Sequence, residues 1–131
     1  QSANDRHSNQ EIAYLLQRIE DFPGLIILAT NLKGNIDEAF ARRFQSMIQF
    51  TMPSAEQRLR LWKNAFAQQP PIDETVDFTA IAQDHELAGG SIINVLRYVA
   101  LTVARQNLPT AQQYHLLEGI RRELRKTGQW L

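Results

Sequence analysis

The chain has 131 residues, 44% hydrophobic and 21% charged, and its 14 basic and 14 acidic side chains give a formal net charge of zero. This size and composition fit one compact domain or a pair of small subdomains. The balanced charge disfavours a nucleic-acid partner, whose footprint is a strong basic excess. The absence of cysteine excludes a disulfide framework and thiolate chemistry.

No apolar run approaches the roughly 20 residues that span a bilayer, so no membrane partner is expected. The polar start shows no signal peptide, and a cytoplasmic location is expected. A chain opening on Gln1 without Met reads as an excised or processed piece.

Residues 1–9 are polar and read as loose. From Gln10 to Asp21, Ile12, Leu15, Leu16 and Ile19 recur at one-face helical spacing, with Ser8 or Asn9 as cap. Phe22-Pro23-Gly24 ends that helix. Leu25-Ile-Ile-Leu-Ala-Thr-Asn31 is a short continuous apolar run, the pattern of a strand buried on both faces of a parallel sheet. Asn31 stands at its carboxyl end, where ligands bind in open α/β sheets. After the turn at 32–35, Asn35 and Glu38 have capping-box spacing and predict a short helix from Ile36 to about Arg43. Gln45 to Met52 alternates loosely and predicts a second strand, closed by Pro53.

The pattern then turns helical. Ser54 and Gln57 are a cap-like pair opening a helix to about Gln68, with Leu59, Trp62 and Phe66 on one side. A break at Gln68-Gln-Pro-Pro71 precedes a short helix around 78–84 introduced by Asp77. Ser91 starts the most apolar helix, where Ile92, Ile93, Val95, Leu96, Val99, Ala100, Val103 and Ala104 predict the centre of a bundle. Thr110 caps a last helix to about Thr127, with Leu116, Leu117, Ile120 and Leu124 inward and Gly128 ending it.

The expected fold class is therefore α/β but mostly helical. A partial parallel sheet of about two strands occupies residues 1–53, and an all-α bundle of about four helices occupies 54–131. Two strands cannot make a stable buried sheet alone, so the first part reads as half of a sheet.

Chemistry-bearing residues are few. The lysines are Lys33, Lys63 and Lys126, none following a glycine, so there is no phosphate loop. His7, His85 and His115 lack metal-ligand spacing, and no metal site is expected. Taken singly, Asn31 reads as a turn residue at a strand end and Arg42-Arg43 as a solvated pair. Gly89-Gly90 reads as a plain helix start, and Arg121, Arg122, Arg125 and Lys126 as a solvated helix face.

Together the succession resembles the second half of an AAA-family ATPase module. Ala29-Thr-Asn31 is similar to the family's fourth strand with its sensor 1 asparagine. Ile36-Asp37, Ala39-Phe40 and Arg42-Arg43-Phe44 resemble the region that carries the arginine fingers. Ser54-x-x-Gln57-Arg58 and Leu61-Trp62 look like the first lid helix, and Leu87-x-Gly89-Gly90-Ser91-Ile92-x-Asn94 like the sensor 2 region. Tyr14-Leu-Leu-Gln17 with Glu20 resembles the helix after the Walker B strand.

The resemblance implies a P-loop NTPase-type core followed by a helical lid. Asn31 would orient the attacking water or the γ-phosphate, while Arg42 and Arg43 would reach the nucleotide of a neighbouring protomer in a ring, a hexamer. Gly89, Gly90 and Ser91 would let the lid backbone approach the adenine and ribose. The parent would use ATP and Mg²⁺ to remodel an unidentified protein substrate. This chain lacks the phosphate loop and the Walker B acids, so it is expected to bind neither cofactor tightly and to be inactive alone. The region around Ser91 lacks the arginine that other branches place there, and Arg97 reads as structural. The alternative is a non-catalytic helical interaction module of AAA ancestry.

Overall fold

The structure is a computed structural model and describes residues 3–30 and 38–129. They form helices α1 (Ala3–Asp21), α2 (Glu38–Ala41), α3 (Ala55–Ala65), α4 (Phe78–Asp84), α5 (Gly89–Arg105) and α6 (Gln113–Lys126). The chain divides into two compact units, Gln1–Gln49 and Phe50–Leu131.

In the first unit, α1 begins seven residues before the sequence pattern places it. Nothing between Ala3 and Gln10 breaks a helix, and once a nucleus exists each added residue gains its own backbone hydrogen bond. Leu16 is the buried residue of its apolar stripe, whereas Ile12 and Leu15 stay largely exposed.

The two-strand sheet is not observed. Residues 25–30 and 45–52 form no strand, and Asn31 with the turn expected at 32–35 lies outside the described residues. A helix satisfies its own backbone, but a strand requires a neighbour's N–H and C=O groups. Neither segment belongs to a β-ladder among the described residues, and Leu25 and Ile27 are 85% and 83% exposed. Helix α2 is shorter than the helix expected from Ile36 to about Arg43: residues 36–37 lie outside the described residues, and Arg42 and Arg43 form a turn beyond its end at Ala41.

The second unit is a bundle of four helices in which α5 packs on α6 and α3, and α3 on α4. The capping box at its entrance is formed: Gln57 N–H donates to Ser54 Oγ at 3.3 Å and Ser54 N–H to Gln57 Oε1 at 2.9 Å. Trp62, Phe66 and Phe78 stack into one aromatic cluster with centroids 5.7–6.4 Å apart. Helix α3 ends at Ala65, short of Gln68, and Ile92, Val95, Val99 and Val103 form the buried stripe of α5. Ile93 is exposed on that helix, so its apolar face is narrower than composition suggests.

Two helix starts in this unit differ from expectation. Helix α5 starts at Gly89 after an extended Ala88, not at Ser91. Helix α6 is opened by Gln112, whose N–H donates to His115 Nδ1 at 2.9 Å, instead of Thr110. The reason is a clip: Ala111 N–H donates to Pro71 O at 2.7 Å and Asp73 N–H to Ala111 O at 3.0 Å. This holds residue 111 extended in a parallel bridge to Ile72 and delays the helix. Gly128 ends α6 at φ +74°, the left-handed conformation that glycine adopts without strain.

Candidate functional site

Each unit carries part of the expected site. In the first, Arg42 and Arg43 follow α2 directly. Arg42 Nη2 lies 3.7 Å from Glu38 Oε1 one helical turn back, and its side chain is 78% exposed. Arg43 Nη1 lies 3.0 Å from Glu20 Oε1 near the end of α1, with the side chain 37% exposed. Both guanidiniums therefore rest on carboxylates of their own unit. Exposed pairs of this kind contribute about 0–1 kcal/mol, so either cation is released at little cost.

In the second unit, Gly89, Gly90 and Ser91 form the first turn of α5. A Cβ built on Gly90 would meet nothing within 4 Å, and one on Gly89 would meet Leu61 Cδ1 at an ordinary 3.8 Å. No packing inside the unit requires either glycine, and the backbone there is open to approach from outside.

The ATP and Mg²⁺ that the resemblance implies are not accommodated by these residues alone. Among the described residues no group of three His, Asp or Glu side chains could hold a metal ion, and the sequence has no Gly-Lys pair followed by Ser or Thr. The first unit offers exposed cations and the second open backbone, and among the described residues there is no metal-binding carboxylate set.

The basic run on α6 is largely occupied. Arg121 Nη1 is 3.7 Å from Glu118 Oε2, and Lys126 pairs with Glu123. The Arg122 guanidinium sits 4.8 Å from the centroid of the Tyr98 ring.

Three polar residues of the bundle went unread in the sequence. Arg58 and Glu123 are each only 6% exposed, and His115 is buried with Nε2 unpartnered. Arg58 stands four residues before Trp62, and Glu123 three after Ile120, so helical spacing already puts both on apolar faces. Glu123 Oε1 accepts from Asn94 Nδ2 at 2.7 Å, which fixes the Asn94 side chain of α5 against α6.

A cavity of about 310 Å³ lies between α4 and α6, lined by Ile81, Asp84, His85, Gln113, Leu117 and Arg121. Burial holds the His85 imidazole below its ordinary value of 6.5, with the Asp84 carboxylate partly opposing.

A class can now be assigned by likeness: over nearly its whole length this chain is similar to AAA-family ATPases. It is 30% identical over 129 residues to an ATP-dependent zinc metalloprotease FtsH of Sulfurovum sp., covering 93% of this chain and 19% of the relative. It is 32% identical over 127 residues to FtsH 1 of Methylacidiphilum infernorum, covering 92% and 20%. It is 31% identical over 85 residues to a katanin p60 ATPase-containing protein of Danio rerio, covering 64% and 17%. The chain thus spans about a fifth of the length of the curated relatives it matches. No family model matches it. Among the described residues no helix is long and apolar enough to cross a membrane.

Proposed function

We propose that the chain is the carboxyl-terminal half of an AAA ATPase module whose parent couples ATP hydrolysis to remodelling of a protein partner. The supporting observation is collinearity. The AAA-like motifs occur in order from Tyr14 to Asn94, and relatives named as ATP-dependent are similar over more than nine-tenths of the chain.

In this reading residues 1–53 complete the nucleotide-binding core and residues 54–131 form its lid. Asn31 is sensor 1, and Arg42 and Arg43 act on the γ-phosphate of a neighbouring protomer, which makes the parent a ring, a hexamer. Gly89, Gly90 and Ser91 approach the base and ribose. The phosphate loop and the Walker B acids belong to the rest of the parent, and this chain alone turns nothing over.

The pairing of both arginines with Glu38 and Glu20 favours a second reading, a non-catalytic interaction module of AAA ancestry. These pairs do not stand against the first reading: exposed pairs contribute about 0–1 kcal/mol, so both guanidiniums can leave their carboxylates at little cost.

The test is made in the parent. Arg42→Ala and Arg43→Ala should each lower turnover by about 10³-fold or more while nucleotide affinity is retained. Mixing with protomers defective in the phosphate loop should restore part of the activity. Loss of nucleotide affinity would refute the trans assignment, and unchanged turnover in both variants would leave the interaction module standing.

A further inference from the structure

We propose that Arg58 is a clamp that makes residues 51–53 part of the helical unit, so that any bending between the chain's two halves occurs before Thr51 and not at the Pro53–Ser54 junction. The clamp itself is a property of this chain alone. Its consequence for lid movement rests on the ATPase reading above.

Arg58 lies in the second turn of α3 and is buried, although it carries an unavoidable positive charge. Burying such a group is costly unless its donors are satisfied. Here the two fixed prongs of the guanidinium are used separately. Nε donates to Ala82 O at 2.8 Å and Nη1 donates to Pro53 O at 2.6 Å.

Each acceptor is a carbonyl that the local backbone leaves open. Ala82 is in the last turn of α4, whose final carbonyls have no intrahelical donor. Pro53 directly precedes the N-cap Ser54, outside α3. One side chain therefore ties the entering chain, the first helix and the end of α4 into a single piece.

The neighbouring side chains do not supply this tie. Phe50 is 93% exposed and Met52 also projects outward, so the entry segment has little apolar packing to hold it. The capping box fixes the chain only from Ser54 onward. Lysine at position 58 keeps the charge but puts a single ammonium on a flexible stem where the guanidinium has a rigid fork.

The experiment is ¹⁵N relaxation on the 131-residue chain. In the wild type the amides of Thr51, Met52 and Ser54 should have order parameters close to those of α3, about 0.85. In Arg58→Lys those of Thr51 and Met52 should fall below about 0.6, while α5 and α6 keep their shifts and order.

Wild-type values at Thr51 and Met52 already in the flexible range would overturn the clamp without any variant, which keeps it testable if Arg58→Lys fails to fold. A folded Arg58→Lys with an unchanged entry segment would overturn it as well. None of these readouts depends on ATP, so a parent without ATPase activity would refute the proposed function and leave the clamp intact.

Discussion

In the unit from Phe50 onward, Trp62, Ile92, Val95, Leu116 and Ile120 are removed from solvent almost completely. In the unit before it, Leu25 and Ile27 are more than four-fifths exposed, and Met47 and Ile48 are exposed too. The two stretches are comparably apolar, so hydrophobicity does not explain the difference. The helical unit contains partners for its buried stripes: α5 packs on α6 and α3, α3 packs on α4, and each helix closes its own hydrogen bonds. The segments at 25–30 and 45–52 carry strand-like sequences but form no ladder among the described residues; in the proposed reading their partners and covering faces belong to the rest of the parent.

The sharpest way to break this contrast is to truncate one apolar residue in each unit. Trp62→Ala should destabilise the 131-residue chain by about 3–5 kcal/mol, read as a fall in the urea midpoint of the helical signal. Ile27→Ala in the same chain should change it by no more than about 0.5 kcal/mol, as for an exposed position. In the full-length parent, where the proposed sheet is complete, Ile27→Ala should cost about 2–5 kcal/mol. An equally small effect in both contexts would mean that residue 27 never enters a sheet.

The same contrast accounts for what the sequence made legible. Helices were readable because their signals are local. The Ser54–Gln57 cap, the Asp77 start, the Gly128 stop and the stripe on α5 each follow from residues within a turn or two of one another. The delayed start of α6 was not readable, because it depends on Pro71 and Asp73 gripping Ala111 from about 40 positions away. The strands were legible as patterns but not as structure. Of the candidate site, spacing placed Arg42 and Arg43 on the end of a short helix, whereas the helix stops at Ala41 and their partners Glu38 and Glu20 were not read. Arg58 and Glu123 were hidden by the habit of reading charge as surface, although their helical register pointed inward.

A smaller effect sharpens the description of the complete unit. Gly119 lies in mid-helix, where alanine would ordinarily gain up to about 1 kcal/mol. A Cβ there would stand 2.9 Å from Val95 Cγ1 and 3.1 Å from Tyr98 Cδ1, where α5 and α6 approach closely. Crowding of this kind costs about 1–3 kcal/mol, so Gly119→Ala should be net destabilising by about 1 kcal/mol in urea titration. Val95→Ala removes the nearest obstructing methyl but also empties core volume, so the two changes together should cost less than the sum of the two made singly. A stabilised Gly119→Ala would show that the α5–α6 interface yields, and that the bundle is less tightly specified than its burial implies.

The smallest expected effect concerns pH and comes from the wall between α4 and α6. Burial of the His85 imidazole disfavours its protonated form, and Asp84 only partly offsets this, so its folded pKa lies below the unfolded 6.5. Below pH 6.5 the unfolded chain takes up the proton first, which makes stability rise with pH across that window and level off above it. His85→Gln should flatten the slope between 6.5 and the folded value while leaving the plateau near neutrality little changed. Asp73 titrates in a separate window. The hydroxyl and N–H of Thr75 and the amide of Gln112 hold its carboxyl below 3.8, so its contribution is intact until the pH falls under that value. Urea midpoints of the wild type and His85→Gln at pH 7.5, 6.5 and 5.5 therefore isolate the histidine. Parallel slopes in the two proteins would mean that the cavity wall admits enough water to solvate the imidazolium, and that the helical unit is less dry along α4 than along α5.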